Sequence, residues 1–204
     1  MKIKICGLNI TRDVQLCIDL KVNFLGFVFY ERSPRNINLK DIKNLSKFNK
    51  KNSSFVAVTV NPTDEFIKDN LLGNFEYIQL HGSETNKRIA EIKNMGFKII
   101  KAIQVSEEQD IDKYKEFNNA DIILFDTPGM EKTLEFPKNL ITKIPLGKKY
   151  ALAGSVSENN VENINKLGVN FFDLSSSLES QLGYKDHVKI KNFLQSEIII
   201  LKRI

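Results

Sequence analysis

Ile3-Lys4-Ile5-Cys6-Gly7 is a short apolar run that ends on a cysteine followed by a glycine. A run of this length bounded by a breaker reads as a buried strand opening into a loop. The same pattern recurs at residues 24–29, 55–60, 77–80, 98–103, 122–125, 150–152 and 171–174. Amphipathic stretches follow the runs at roughly 12–21, 39–48, 63–72, 84–95, 107–118, 136–142, 160–167 and 186–193. In the fourth stretch Ile89, Ile92, Met95 and Phe97 make an apolar stripe near helical spacing. Thr11, Thr63 and Ser83 stand where residues that cap helix N-termini are expected.

Strands joined by helices imply a parallel sheet and an α/β architecture. Eight such units close naturally into a (β/α)8 TIM barrel, here a single catalytic domain over residues 1–204. The competing architecture is an open doubly wound sheet, whose phosphate loop typically follows its first strand. Cys6-Gly7-Leu8 follows the first run instead, with no G-x-G-x-x-G. A chain of 204 residues is near the small end for a barrel, so short loops are expected.

Apolar residues are 42% and charged residues 27%, the ordinary balance of a globular domain. The apolar run at 198–201 is far too short to span a bilayer, and no signal peptide is legible. A cytoplasmic protein without membrane contact is expected. The net charge of +5 comes from scattered lysines, with only five arginines among 30 basic residues. A nucleic-acid footprint needs clustered Arg or Lys with stacking aromatics, so no nucleic-acid partner is expected. Cys6 and Cys17 lie eleven apart, with no C-x-x-C and no metal-ligand spacing. Cys17 falls among Val14, Leu16 and Ile18 and reads as a small core residue.

A barrel carries its active site at the C-terminal ends of its strands. The residues there are Cys6; Ser33-Pro34-Arg35; Asn61; Gln79 and His81; Gln104; Asp126-Thr127; Gly154-Ser155; and Asp173 with Ser175-Ser176-Ser177. Singly, each has a structural reading. A strand-end cysteine packs, Asp126 caps the next element, His81 serves a turn, Arg35 lies on the surface, and glycine and serine make turns. Their joint placement in strand order is what points to a site.

The same residues resemble phosphoribosylanthranilate isomerase, a family of tryptophan biosynthesis, over nearly the whole chain. The resemblance is carried by Lys4-Ile5-Cys6-Gly7-Leu8, by Ser33-Pro34-Arg35, by Gln79-Leu80-His81-Gly82 and by Leu124-Phe125-Asp126-Thr127. It continues in Leu152-Ala153-Gly154-Ser155, Asp173-Leu174-Ser175-Ser176 and Gly183-Tyr184-Lys185-Asp186. It implies an Amadori rearrangement of N-(5-phosphoribosyl)anthranilate to an aminodeoxyribulose phosphate. It implies a small-molecule phosphosugar-anthranilate substrate, no metal and no organic cofactor, in a monomer or homodimer. Asp126 becomes the acid that opens the furanose ring, and Cys6 the base that takes the C2 proton. Their pKa values are expected to converge on neutrality, the thiol from above and the carboxyl from below. Arg35 fits the anthranilate carboxylate. Gly154, Ser155, Ser176 and Ser177 fall where such a barrel binds phosphate. Asp173 meets a sugar hydroxyl, and Gln79 and His81 line the floor.

Three places depart from the family pattern. Only Gly129 remains in the stretch 128–136, where a glycine-rich loop is expected. Ser155 and Ser177 stand where glycines are expected. A serine forced to positive φ carries strain of order ~1 kcal/mol. Two other readings stay open: a related phosphosugar isomerase with shifted substrate, and a non-catalytic barrel that binds a phosphorylated ligand.

Overall fold

The computed structural model describes residues 1–128, 136–154 and 156–201. Eight parallel strands close into a barrel in chain order. They are β1 (Lys2–Cys6), β2 (Phe24–Phe29), β3 (Ser54–Thr59), β4 (Tyr77–Leu80), β5 (Lys98–Gln104), β6 (Ile122–Asp126), β7 (Tyr150–Leu152) and β8 (Phe171–Leu174). β1 pairs with β2 on one side and β8 on the other, which closes the ring and leaves the barrel sheet without an edge.

Strand alternation makes two apolar layers. Outward residues such as Ile3, Ile5, Phe27, Ile78, Ile99 and Phe125 are buried under the helices. Inward residues such as Phe24, Val56, Ile100, Leu124 and Phe171 fill the barrel, with Phe24 and Phe171 stacked at 5.1 Å. A filled lower barrel leaves only the upper ends of the strands to line a cavity.

The helices are shorter than the amphipathic stretches suggest. They are α1 (Thr11–Asp19), α2 (Ile42–Leu45), α3 (Asp64–Phe66), α4 (Asn86–Asn94), α5 (Glu108–Asp112), α6 (Lys138–Ile141), α7 (Val161–Lys166) and α8 (His187–Leu201). A 3-10 turn precedes α2, a π turn extends α3 and a 3-10 turn extends α5. Packing against the barrel, more than intrinsic propensity, holds such short pieces.

Two of the three expected caps are displaced. Thr63 accepts from the Phe66 N–H as expected. Thr11 is the first helical residue, and the extended Ile10 before it makes no side-chain cap. Thr85 rather than Ser83 caps α4, accepting from Arg88 N–H, while the Ser83 N–H and hydroxyl both donate to Asn61 Oδ1. One element was unforeseen: after β8 a 3-10 turn (Ser176–Leu178) leads into a small antiparallel pair, β9 (Glu179–Gln181) and β10 (Tyr184–Lys185).

Candidate active site

One cavity of about 340 Å³ opens at the C-terminal ends of the strands. That volume suits a small-molecule ligand. Cys6, Arg35, Gln79, His81, Asp126, Gly154, Asp173, Ser176 and Ser177 all line it. The remaining candidate, Ser155, lies outside the described residues, as does the stretch 129–135 with its departure from the family pattern. Gln104 and Ser33 also line the cavity.

Cys6 is the last residue of β1 and 9% exposed, and Asp126 is the last of β6 and 1% exposed. Both sit on inward positions at the barrel mouth. The glycine after Cys6 is required where it stands. Gly7 has φ +79, and a Cβ there would lie 2.6 Å from Arg35 Cδ. Only glycine accepts both the backbone and that approach. Gly26 on β2 is a second close approach, since a Cβ there would lie 2.9 Å from Cys6 Sγ.

Arg35 is not the surface residue that its place beside Pro34 allows; it is buried. Its Nε–H donates to Glu179 Oε1 at 2.7 Å and its Nη2–H to Oε2 at 2.8 Å. Lys185 Nζ donates to the same Oε1 at 2.8 Å and to the Ser175 carbonyl at 3.0 Å. Burial alone would raise the Glu179 carboxyl, but the Arg35 hydrogen bonds and the Lys185 charge outweigh it and hold it at about 2. Burial pulls Lys185 below its usual range, with Glu179 opposing.

Asp173 is engaged from below. Lys4 Nζ donates to Asp173 Oδ2 at 2.8 Å, and both residues are buried. Ser175 Oγ–H donates to the Cys6 carbonyl at 3.2 Å, tying the end of β8 to that of β1. Gln79 is 1% exposed and its Oε1 has no hydrogen-bond partner among the described residues, so it is an acceptor at the cavity floor. Ser177 is not among the positive-φ residues, so the expected strain does not arise there. Cys17 is a buried free thiol, pushed up to about 12 by burial and by Asp13, which suits a core residue.

Sequence reading missed Lys4, Glu179 and Lys185. Lys4 had a signal: it precedes Cys6 by two in a strand, and so shares its face. Glu179 had none, because its partner Arg35 is 144 residues away.

The family model for N-(5'-phosphoribosyl)anthranilate (PRA) isomerase matches residues 3–196. A curated N-(5'-phosphoribosyl)anthranilate isomerase from Thermoanaerobacter sp. (strain X514) is 34% identical over 204 residues, covering 96% of this chain and 97% of that one. The enzyme of that name from Legionella pneumophila (strain Corby) is 33% identical over 211 residues, with 96% of each chain covered. The crystal structure of phosphoribosyl anthranilate isomerase from Thermotoga maritima superposes with a TM-score of 0.85 at 27% identity, covering 96% of this chain and 98% of that one. A phosphoribosyl anthranilate isomerase solved with reduced 1-(o-carboxyphenylamino)-1-deoxyribulose 5-phosphate matches at a TM-score of 0.81 and 27% identity, covering 96% and 97%. With the barrel, the strand-end cavity and these matches in agreement, the chain belongs to the N-(5'-phosphoribosyl)anthranilate isomerase family.

Proposed function

We propose that this isomerase carries out the Amadori rearrangement of N-(5-phosphoribosyl)anthranilate with Cys6 as general base and Asp126 as general acid. The observation that carries the reading is that one cavity is lined by both groups, with Arg35 and the loops after β7 and β8 around it. A sugar bound there has a thiol from β1 and a carboxyl from β6 available to it.

The chemistry follows from what each step needs. Asp126 gives a proton to the ring oxygen as the C1–O bond breaks, and the nitrogen lone pair forms the C1=N bond. The cationic nitrogen acidifies the C2 proton. Cys6, as thiolate, takes that proton, and the C–H electrons form C1=C2 while the nitrogen becomes neutral. The enol tautomerises to the ketone: C1 gains a proton and the C2 hydroxyl loses one. Return of one proton from Cys6 to Asp126 through solvent restores both groups.

The reduced product in the related crystal structure carries a carboxyphenyl group and a phosphate. Arg35, whose Nε and Nη2 are held by Glu179, is the partner for the carboxylate. Gly154, Ser155, Ser176 and Ser177 form the phosphate end. Asp173 accepts from a sugar hydroxyl, and Gln79 and His81 line the floor.

Growth complementation tests the reading. In cells that lack this step of tryptophan synthesis, the chain restores growth, whereas Cys6→Ala and Asp126→Asn do not. A soluble wild-type protein that fails to restore growth overturns the activity, and growth with both variants overturns the roles.

A further inference from the structure

The barrel interior beneath the proposed base holds a cation to which the isomerase reading gives no task. Lys4 and Cys6 are two apart on β1, so both side chains face inward. Lys4 is 1% exposed and among the largest fully buried side chains. A Cβ on Gly26 would stand 2.9 Å from Cys6 Sγ and 3.1 Å from Lys4 Nζ. Sulfur and ammonium therefore flank one point of β2 and lie no farther apart than those two distances combined. The glycine leaves that space open between them. Burial disfavours the ammonium, but Asp173 and Cys6 both favour it, and its pKa stands above the ordinary 10.5. Lys4 is thus charged at neutral pH.

We propose that Lys4 is a positioning residue for the isomerisation: held by Asp173, its ammonium stabilises the thiolate form of Cys6 and sets the pH range over which the base works. The proposal rests on the reading of Cys6 as the base. Asp173 Oδ2 holds Lys4 Nζ at 2.8 Å, so the cation stays in place when the sulfur takes the C2 proton.

The other charged and titratable groups around Cys6 do not replace Lys4. Lys185 is held by Glu179 at 2.8 Å, and Glu179 also takes two hydrogen bonds from Arg35. Asp126, His81 and Tyr30 line the same cavity, and none of them supplies a fixed cation of the reach of Lys4. Lys4 is the cation on the same strand and face as the sulfur.

The test is alkylation of Cys6 by iodoacetamide as a function of pH, read by peptide mass spectrometry so that the buried Cys17 does not interfere. Thiolate is the reacting form, so the rate reports its fraction. Lys4→Met slows alkylation at least tenfold at pH 7 and moves the profile up by a unit or more, since one unit is a tenfold change. Lys4→Arg stays near wild type. Asp173→Asn slows alkylation less than Lys4→Met, because the lysine and its attraction to the thiolate remain. A merely structural pair predicts that Lys4→Met and Asp173→Asn behave alike.

Where Lys4→Met fails to fold, the double variant Lys4→Met/Asp173→Asn decides, since removing both members of a buried pair is milder than removing one. A folded double variant whose profile matches that of Asp173→Asn overturns this proposal alone. Isomerase turnover retained in Cys6→Ala overturns the base assignment and this proposal with it.

Discussion

Glu179 binds two buried cations at once, Arg35 through both carboxylate oxygens and Lys185 through one. It also accepts from the Gly183 N–H at 3.2 Å, which fixes the turn between β9 and β10. The consequence is a guanidinium locked before any substrate arrives. A free arginine side chain gives up ~2 kcal/mol of rotamer freedom when it is held. Glu179→Gln keeps the shape and removes the charge. The added positive potential favours an anionic substrate, but only by a screened attraction. Loss of charge-assisted hydrogen bonds worth roughly 1.5–3 kcal/mol outweighs it. The expected outcome in steady-state kinetics is KM raised by roughly tenfold or more with a smaller fall in kcat. An unchanged KM would show that Arg35 needs no such support. Cys6 and Arg35 were legible because strand ends announce themselves. Glu179 was not, because a contact across 144 residues leaves no trace in local pattern.

Two consecutive loops at the barrel mouth, those after β3 and β4, are clamped to β5 by one ion pair on the outer face. Lys101 on β5 shares the outward face with Ile99 and Ile103 and lies under the helix layer. Its Nζ donates to the Gly82 carbonyl at 2.7 Å and to Glu84 Oε2 at 2.8 Å. Glu84 Oε1 accepts from Asn61 N–H at 2.7 Å and from Gly82 N–H at 3.1 Å. Asn61 follows β3 in the left-handed region at φ 47, which asparagine tolerates, and its Oδ1 accepts from Ser83 N–H. The loop that carries His81 is thereby tied to its neighbours on both sides. Lys101→Met leaves a buried carboxylate without its cation and lowers unfolding free energy by ~3–5 kcal/mol in urea titrations. Lys101→Met/Glu84→Gln recovers part of that loss. Equal stability of the single variant and wild type would refute the clamp. At this scale all eight strands were legible, because continuous apolar runs mark buried parallel strands. The helices were legible in place and overlong in extent, because their ends are set by loop contacts such as this one. The β9–β10 pair was not legible: Glu179–Gln181 and Tyr184–Lys185 are too short and polar to carry a period.

A barrel closed in sequence order brings the first and last strands together, and charge sits at that closure. β7 and β8 share a single register pair, Leu152↔Phe172, whereas β1 and β8 share four. Lys4–Asp173 spans β1 and β8 inside the barrel, and Arg35–Glu179–Lys185 spans the loops above them. Closure was legible from the count of eight units; the ion pairs that accompany it were not. They make the assembled molecule sensitive to acid in a defined direction. The Glu179 carboxyl falls from 4.5 to about 2 on folding, with burial opposing and Arg35 and Lys185 driving the fall. Between those values the unfolded chain binds a proton that the folded chain does not, so stability falls as pH falls. The contribution is complete above 4.5 and is lost as pH drops through about 2. Glu179→Gln has no such proton to bind. Its deficit relative to wild type is therefore greatest near neutrality and shrinks from pH 5 towards pH 2. Denaturant unfolding of both proteins across that range measures the difference directly. A deficit that stays constant with pH means that Arg35 and Lys185 do not act on Glu179 as charges.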